Sequence, residues 1–233
     1  MNPKSEIRNP KSAPLVLAIT GASGAIYAVR LLDVLLSAGR EVHLTISPAG
    51  AKVIEHELRR RVNLTDFDLD SLLPGREEVG QLLHYHRHDD FMAPIASGSF
   101  LTDAMVVCPC SGGTLSGVVH GTSGNLIHRA ADVHLKERRK LILVPRETPL
   151  SAIAIENMHR AALAGAVMLP ATPGFYHDAR TIDDLVDFIV ARICDQLGVE
   201  HNLTQRWGKS KAEVNVERRT WTSRLNVNWL IDL

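Results

Sequence analysis

Thr20-Gly21-Ala22-Ser23-Gly24 separates a short apolar run from a segment with helical spacing, and its composition is that of an anion-binding turn. Backbone N–H groups at the start of a helix point outward at the positive end of the helix dipole, so a phosphate can settle on them. Gly21 and Gly24 give the turn its conformational freedom and Ser23 adds a hydroxyl donor. The dinucleotide fingerprint requires G-x-G-x-x-G and an acid at the end of the second strand. Here the turn is G-A-S-G and the second strand ends at Ser47, which disfavours NAD and suits a single phosphate such as that of FMN. No Gly-Lys-Ser/Thr follows, so the turn is not a P-loop. Taken alone, the turn also fits a plain strand–helix connection with no ligand.

A second small-residue loop, Cys108-Pro-Cys110-Ser111-Gly112-Gly113-Thr114, follows the third apolar strand and opens a helix. In open α/β sheets, ligands bind at that edge. A third such loop is Ala96-Ser97-Gly98-Ser99, which also reads as an ordinary turn or cap. Arg129 and Lys136 are seven residues apart on one helix, about 10 Å along one face. A solvated face, or an Asp132–Lys136 pair, is the simpler reading of them. Arg146-Glu147 ends the fourth strand, again at the ligand edge, and Arg192 interrupts an apolar helix face, where it needs an anionic partner. Pro173-Gly-Phe-Tyr176 presents a phenol on a rigid turn.

Two patterns invite a metal. Asp183-Asp184-x-x-Asp187 matches an acidic magnesium motif, but Thr181 with Asp184 reads as a capping box at a helix start. His84, His86 and His88 alternate and would share one side of a strand. They are read as solvated histidines on a polar edge strand rather than zinc ligands.

The elements that position these residues are legible. Leu15–Ile19 is an apolar strand, Ala25 to Ala38 a helix with Ile26, Val29, Leu32, Leu35 and Leu36 on one side, and Gly39 its stop. Strands follow at Val42–Ile46, Ala104–Val107, Leu141–Val144 and Ala166–Leu169. Helices are expected at about 48–58, 111–119, 125–139, 150–164 and 182–197. The alternation predicts an α/β fold: one doubly wound, Rossmann-like or flavodoxin-like parallel sheet with helices on both faces. Residues 59–90 are the least regular. Residues 1–13 read as a disordered tail, 14–208 as the domain and 209–233 as a second tail. A length of 233 residues allows one large core without a metal or disulfide staple. Lys+Arg and Asp+Glu are 26 each, which excludes a basic field for nucleic acid as the main theme. Three cysteines argue for a reducing compartment, no apolar run is long enough for a membrane span, and the N-terminus lacks a signal-peptide core. A cytoplasmic enzyme is expected.

Together these motifs resemble the UbiX-like flavin prenyltransferases of the flavoprotein superfamily. The likeness is carried by Thr20–Gly24, Ser47 with Glu57, Ala96–Ser99, Cys108–Ser111 with Thr114, the long run Arg129–Arg139, Val144–Pro149, Pro173–Tyr176 and Arg192, from about 14 to 208. The resemblance implies transfer of the dimethylallyl group of dimethylallyl monophosphate to N5 and C6 of reduced FMN, with no metal. It implies that Gly21, Ala22, Ser23, Ser47, Ser111, Gly112, Gly113, Thr114 and Arg146 hold FMN. Ser99, Arg129, Lys136, Tyr176 and Arg192 would hold the prenyl phosphate. Catalytic roles fall to Glu57, Ser23, Glu147 and Lys136, the two glutamates as proton-handling carboxylates. Trp207 matches a family position of less definite role. The resemblance further implies a homo-oligomer, a dodecamer with sites between subunits, and a UbiD-type decarboxylase as recipient of the product. The competing readings are an FMN-dependent cysteinyl-peptide or phosphopantothenoylcysteine-type decarboxylase, and a non-catalytic FMN-binding subunit.

Overall fold

The computed structural model describes residues 13–176 and 179–204. Strands and helices alternate: β1 (Leu15–Ile19), α1 (Ala25–Ser37), β2 (Val42–Ile46), α2 (Pro48–Leu58), β3 (Leu83–Arg87), β4 (Ala104–Cys110), α3 (Gly112–Val119), α4 (Leu126–Lys136), β5 (Lys140–Pro145), α5 (Ala152–Leu163), β6 (Val167–Met168) and α6 (Ile182–Leu197). The strands form one sheet ordered β3-β2-β1-β4-β5-β6, with every pair parallel. The doubly wound expectation holds, and the chain reverses its winding direction between β1 and β4, where such sheets bind ligands. β3 is the element that periodicity did not delimit. It is a polar edge strand, Leu-His-Tyr-His-Arg, whose alternating histidines are its only strand signal. Apart from Ala13, the expected tails at 1–13 and 209–233 lie outside the described residues, as does Trp207.

Because side chains alternate along a strand, each central strand feeds two cores. Leu15, Leu17 and Ile19 pack with Val42, Leu44, Ile46, α1 and α6 on one face. Val16 and Ala18 pack with Met105, Val107, Leu141, Leu143, α3 and α4 on the other. The buried leucines of α1, such as Leu31, Leu32 and Leu35, each contribute about 1.5–3 kcal/mol by leaving water. Hydroxyl and amide side chains start the helices: Ser47, Ser111, Asn125, Ser151 and Thr181 each accept a hydrogen bond from the first turn. At the winding reversal, the buried Thr20 hydroxyl donates to Pro109 O (2.6 Å) and accepts from Ser111 N (2.8 Å). That one group ties the exit of β1 to the exit of β4.

His134 is buried in α4. Its Nδ1 bonds to Ala130 O at 2.7 Å and its Nε2 meets the Thr102 hydroxyl at 2.9 Å. The carbonyl can only accept, so Nδ1 carries the proton and Thr102 donates to Nε2. Burial pushes the imidazole down from 6.5 to about 4, and burial does the same to His43. An unfolded chain protonates these groups near pH 6.5, whereas the folded chain resists until about 4. Their stabilisation is therefore complete above pH 6.5 and is lost as pH falls through that window. Urea midpoints measured across it are expected to fall, and to fall less steeply in His134→Gln after allowance for that variant's lower stability at neutral pH.

Candidate functional site

The C-terminal edge of the sheet gathers the loops that follow β1, β2, β4 and β5. In the first of these, Gly24 has φ +109°, and a Cβ there would lie 2.9 Å from the Tyr27 ring, so both backbone and space require glycine. Gly21 is excluded from substitution by contact alone, since its Cβ would lie 2.5 Å from that of Ala49. Helix α2 lies along this turn: Ala49 touches Gly21 at one end, and Glu57 reaches Gly24 at the other. The Glu57 carboxylate accepts from Gly24 N (3.0 Å) and Ala25 N (2.9 Å), and so caps α1. Two amides of the expected anion turn are thus taken by the protein's own carboxylate, and the outward part of the turn is the exposed Gly21 and Ser23, with Ala22 tucked between them. Arg146, leaving β5, crosses the edge and donates from Nε to Ser23 O at 3.0 Å. Tyr27 joins this cluster. Burial pushes its phenol up, the Glu57 charge acts in the same direction, and the Arg146 charge opposes it. Nothing in the sequence marked Tyr27 except its place three residues after Gly24, on the first turn of α1.

Ser47 caps α2 by accepting from Gly50 N at 3.0 Å. Ser111 caps α3: its Oγ accepts from Thr114 N and donates to Thr114 Oγ1 at 3.0 Å. Both serines thus spend one bond on folding while standing at the ligand edge. Gly112 and Gly113 are exposed, with no atom within 4 Å of where a Cβ would be, so a planar ligand has room over the start of α3. Beside them a cavity of about 360 Å³ is lined by Cys110, Gly112, Leu115, Pro145, Glu147 and Met158, among others. Its mostly apolar wall suits a flavin ring, and the exposed glycines and the Ser111 cap next to it suit the polar chain of such a ligand. Cys110 offers no nucleophile, because burial pushes its thiol up to about 12.

Ser99, Arg129 and Lys136 are brought together, but elsewhere. Helix α4 starts beside His88, at the end of β3, and runs back along the sheet. Lys136 stands four residues before β5, toward the opposite edge. The segment before β4 lies alongside it. Arg129 Nε donates to Ala96 O at 3.0 Å, and its Nη1 pairs with Asp132 at 3.0 Å. A Cβ on Gly98 would strike the Glu137 carboxylate at 2.2 Å and lie 3.0 Å from Lys136 Nζ. Arg139, to which no role had been given, donates to Phe100 O at 2.7 Å and also to Gly98 O. The serine hydroxyls bond to each other, Ser97 Oγ to Ser99 Oγ at 2.9 Å. Lys136 Nζ pairs with Glu137 at 2.5 Å, so this is a patch of acid-paired cations and hydroxyls held by its own backbone contacts, and a phosphate would compete with Asp132 and Glu137 for the cations.

Tyr176 and Arg192 form a third group. Tyr176 meets Phe188 of α6 edge to face, 5.7 Å between centroids, and Arg192 lies one turn further along the same helix. Arg192 finds its anionic partner in Asp195 at 2.9 Å. Helix α6 packs on α1, whereas α4 covers the other face of the sheet. Within one chain, the expected phosphate ligands therefore do not converge. The acidic pattern is a helix start: Thr181 and Asp184 form the reciprocal capping box. Asp187 pairs with Arg30 at 2.7 Å.

Residues 3–194 match the family model described as Flavoprotein. The chain is 48% identical to the flavin prenyltransferase UbiX of Halalkalibacterium halodurans over 196 residues, covering 84% of this chain and 93% of that protein. A structure of AnUbiX in complex with FMN and dimethylallyl pyrophosphate is similar with TM-score 0.75 and 37% identity, covering 86% of this chain and 100% of that one. A dodecameric FMN-dependent UbiX-like decarboxylase from Escherichia coli O157:H7 gives TM-score 0.74 at 41% identity, covering 84% and 100%. The chain belongs to the flavoprotein family and, within it, to the UbiX group of flavin prenyltransferases.

Proposed function

We propose that the protein joins the dimethylallyl group of dimethylallyl monophosphate to N5 and C6 of reduced FMN, at a site completed by neighbouring copies of the chain. The observation that carries this reading is the division of the site between the two edges of the sheet. The Gly21–Gly24 turn and Arg146 follow strands, while Lys136 precedes one. Five-residue β1 alone spans about 16 Å. A single small phosphate would not reach both groups in one chain, which supports the reading that a second copy brings its cations to the flavin edge. The oligomeric state of the Escherichia coli relative is consistent with that need.

In the reaction, a C–N bond to N5 of the substrate FMN would form as the C–O bond to phosphate breaks and the N5 proton leaves, and ring closure would then join C6 to the prenyl chain, one proton entering its double bond as one leaves C6. The exposed turn at Gly21–Ser23, the hydroxyls of Ser47, Ser111 and Thr114, the open approach at Gly112 and Gly113, and the Arg146 guanidinium hold FMN. Ser99, Arg129, Lys136, Tyr176 and Arg192 bind the departing phosphate, whose growing charge is where fixed cations lower a barrier most. No metal is required for a monophosphate so surrounded. Glu57 accepts or supplies the proton near the flavin, held in place by the Gly24 and Ala25 amides. Glu147, beside the apolar cavity, serves the phosphate side. A cysteine-decarboxylase role is disfavoured because Cys108-Pro-Cys-Ser-Gly-Gly-Thr114 and Pro173-Gly-Phe-Tyr176 stand where such enzymes carry Pro-Ala-Ser-Ala-Asn-Thr and Pro-x-Met-Asn. The product is consumed by a UbiD-type decarboxylase in the cytoplasm. Among the described residues no helix is long and apolar enough to cross a membrane.

Anaerobic mixing with reduced FMN and dimethylallyl monophosphate is expected to give a flavin heavier by one five-carbon unit in the mass spectrum. Unmodified, bound FMN would count against the reading. Lys136→Ala is expected to keep FMN and lose turnover. Glu57→Gln keeps an acceptor for the α1 amides, so its expected loss of roughly 10²–10⁴-fold in rate reports proton transfer. Co-expression of the two variants is expected to restore about one quarter of the normal activity, because random assembly pairs an intact Glu57 with another chain's Lys136 that often. No recovery in mixed oligomers would show that both residues serve from one chain.

A further inference from the structure

Glu41, His43 and His84 come together at the start of β2 and β3, a cluster that the prenyl-transfer reading does not use. The parallel register sets His43 directly opposite His84 and Thr45 opposite His86, and Glu41, two residues before His43, falls on the same face. Of the alternating His84, His86 and His88, only His84 belongs to the cluster; the neighbouring strand supplies His43, and Glu41 just precedes that strand. One atom from each of Glu41, His43 and His84 lies within 4.8 Å of the others. Glu41 Oε1 is 3.2 Å from His84 Nε2 and 3.6 Å from His43 Nε2.

Three features set this apart from a chance surface grouping. First, His43 is 5% exposed, and its Nε2 is buried with no hydrogen-bond partner among the described residues, which is costly unless something else satisfies it. Second, its other nitrogen is engaged: Nδ1 lies 2.8 Å from His86 Nε2. With His43 Nδ1–H donating to His86, the Nε2 lone pair is directed at Glu41. This is how a supporting partner fixes the tautomer of a metal-bound imidazole. Third, the spacing is that of ligands around one ion. Zinc bonds of 2.0–2.1 Å in a tetrahedron separate the ligand atoms by about 3.4 Å, and 3.2 and 3.6 Å bracket that value. The 3.6 Å gap is too long for an imidazole–carboxylate hydrogen bond.

We propose that Glu41, His43 and His84 hold a divalent zinc-type ion, with a fourth position open to water. Two imidazoles and one carboxylate select zinc-type ions over magnesium or calcium, which take oxygen ligands. The buried His43 is preset and the half-exposed His84 closes on the ion by side-chain rotation. The His43 ring also lies 4.9 Å from Phe100, next to Ser99, so a bound ion would stiffen the segment that carries the phosphate hydroxyls.

The test uses the tag-free, FMN-loaded oligomer, stripped with chelator and titrated with zinc chloride by calorimetry, with magnesium chloride as control. One zinc per chain and no magnesium response are expected. His84→Ala and Glu41→Gln should each weaken zinc binding at least tenfold while FMN content and the unfolding midpoint stay unchanged. His120→Ala, outside the cluster, should bind as the unmodified protein does. Cobalt(II) in the unmodified protein should give the visible absorption of a tetrahedral site, a readout that needs no variant. Absence of stoichiometric zinc, an octahedral cobalt spectrum, or binding undiminished in His84→Ala and Glu41→Gln would overturn the proposal and leave a hydrogen-bonded imidazole stack.

Discussion

Parallel pairing constrains everything else in this molecule. A parallel strand is entered at one edge of the sheet and left at the other, so residues before a strand and residues after it are kept apart by the strand's whole length. Gly21–Gly24, Ser47, Ser111–Thr114 and Arg146–Glu147 all follow strands and share one edge. Lys136, which precedes β5, is carried away from them along α4. The helices divide the cations again, since α4 and α6 cover opposite faces. The chain thus sets Arg129 and Lys136 on α4, each paired with a neighbouring acid, apart from the groups that follow the strands.

At the flavin edge, several groups stabilise the fold and hold the site at once. Thr20 joins β1 to β4 with one hydroxyl. Glu57 caps α1, and Arg146 returns to the Ser23 carbonyl. Ser47 and Ser111 cap α2 and α3 at the same edge. Each bond fixes an atom at the edge proposed to hold FMN, so positions there are set by the fold itself.

The opposite edge uses the same economy of contacts. The segment before β4 is tied to α4 through Arg129, Arg139 and His134, and its Phe100 ring abuts His43. Buried imidazoles, the Ser97 and Ser99 hydroxyls and the proposed ion site are therefore mechanically continuous, although they derive from four separate stretches of sequence.

Much of this was legible in the residues alone. Apolar runs covered on both faces, helical spacing and turn residues marked five of the six strands and all six helices. The local motifs G-A-S-G, R-A-A-D-V and V-P-R-E-T-P carried the resemblance to the flavin prenyltransferases, from which the proposed ligand roles come. The Thr181–Asp184 cap was readable because capping acts between near neighbours in the chain. Edge strand β3 escaped hydrophobic periodicity because it has a solvent side and carries polar residues. The capture of the Gly24 amide by Glu57, 33 residues away, had no local signal. The partnership of His43 with His84 likewise depends on strand register, which links positions 41 residues apart. The sequence by itself determined the elements, their caps and the kinds of chemistry available. Only the tertiary structure decided which edge and which face each group occupies, because parallel pairing and layer packing act between segments that the chain keeps far apart.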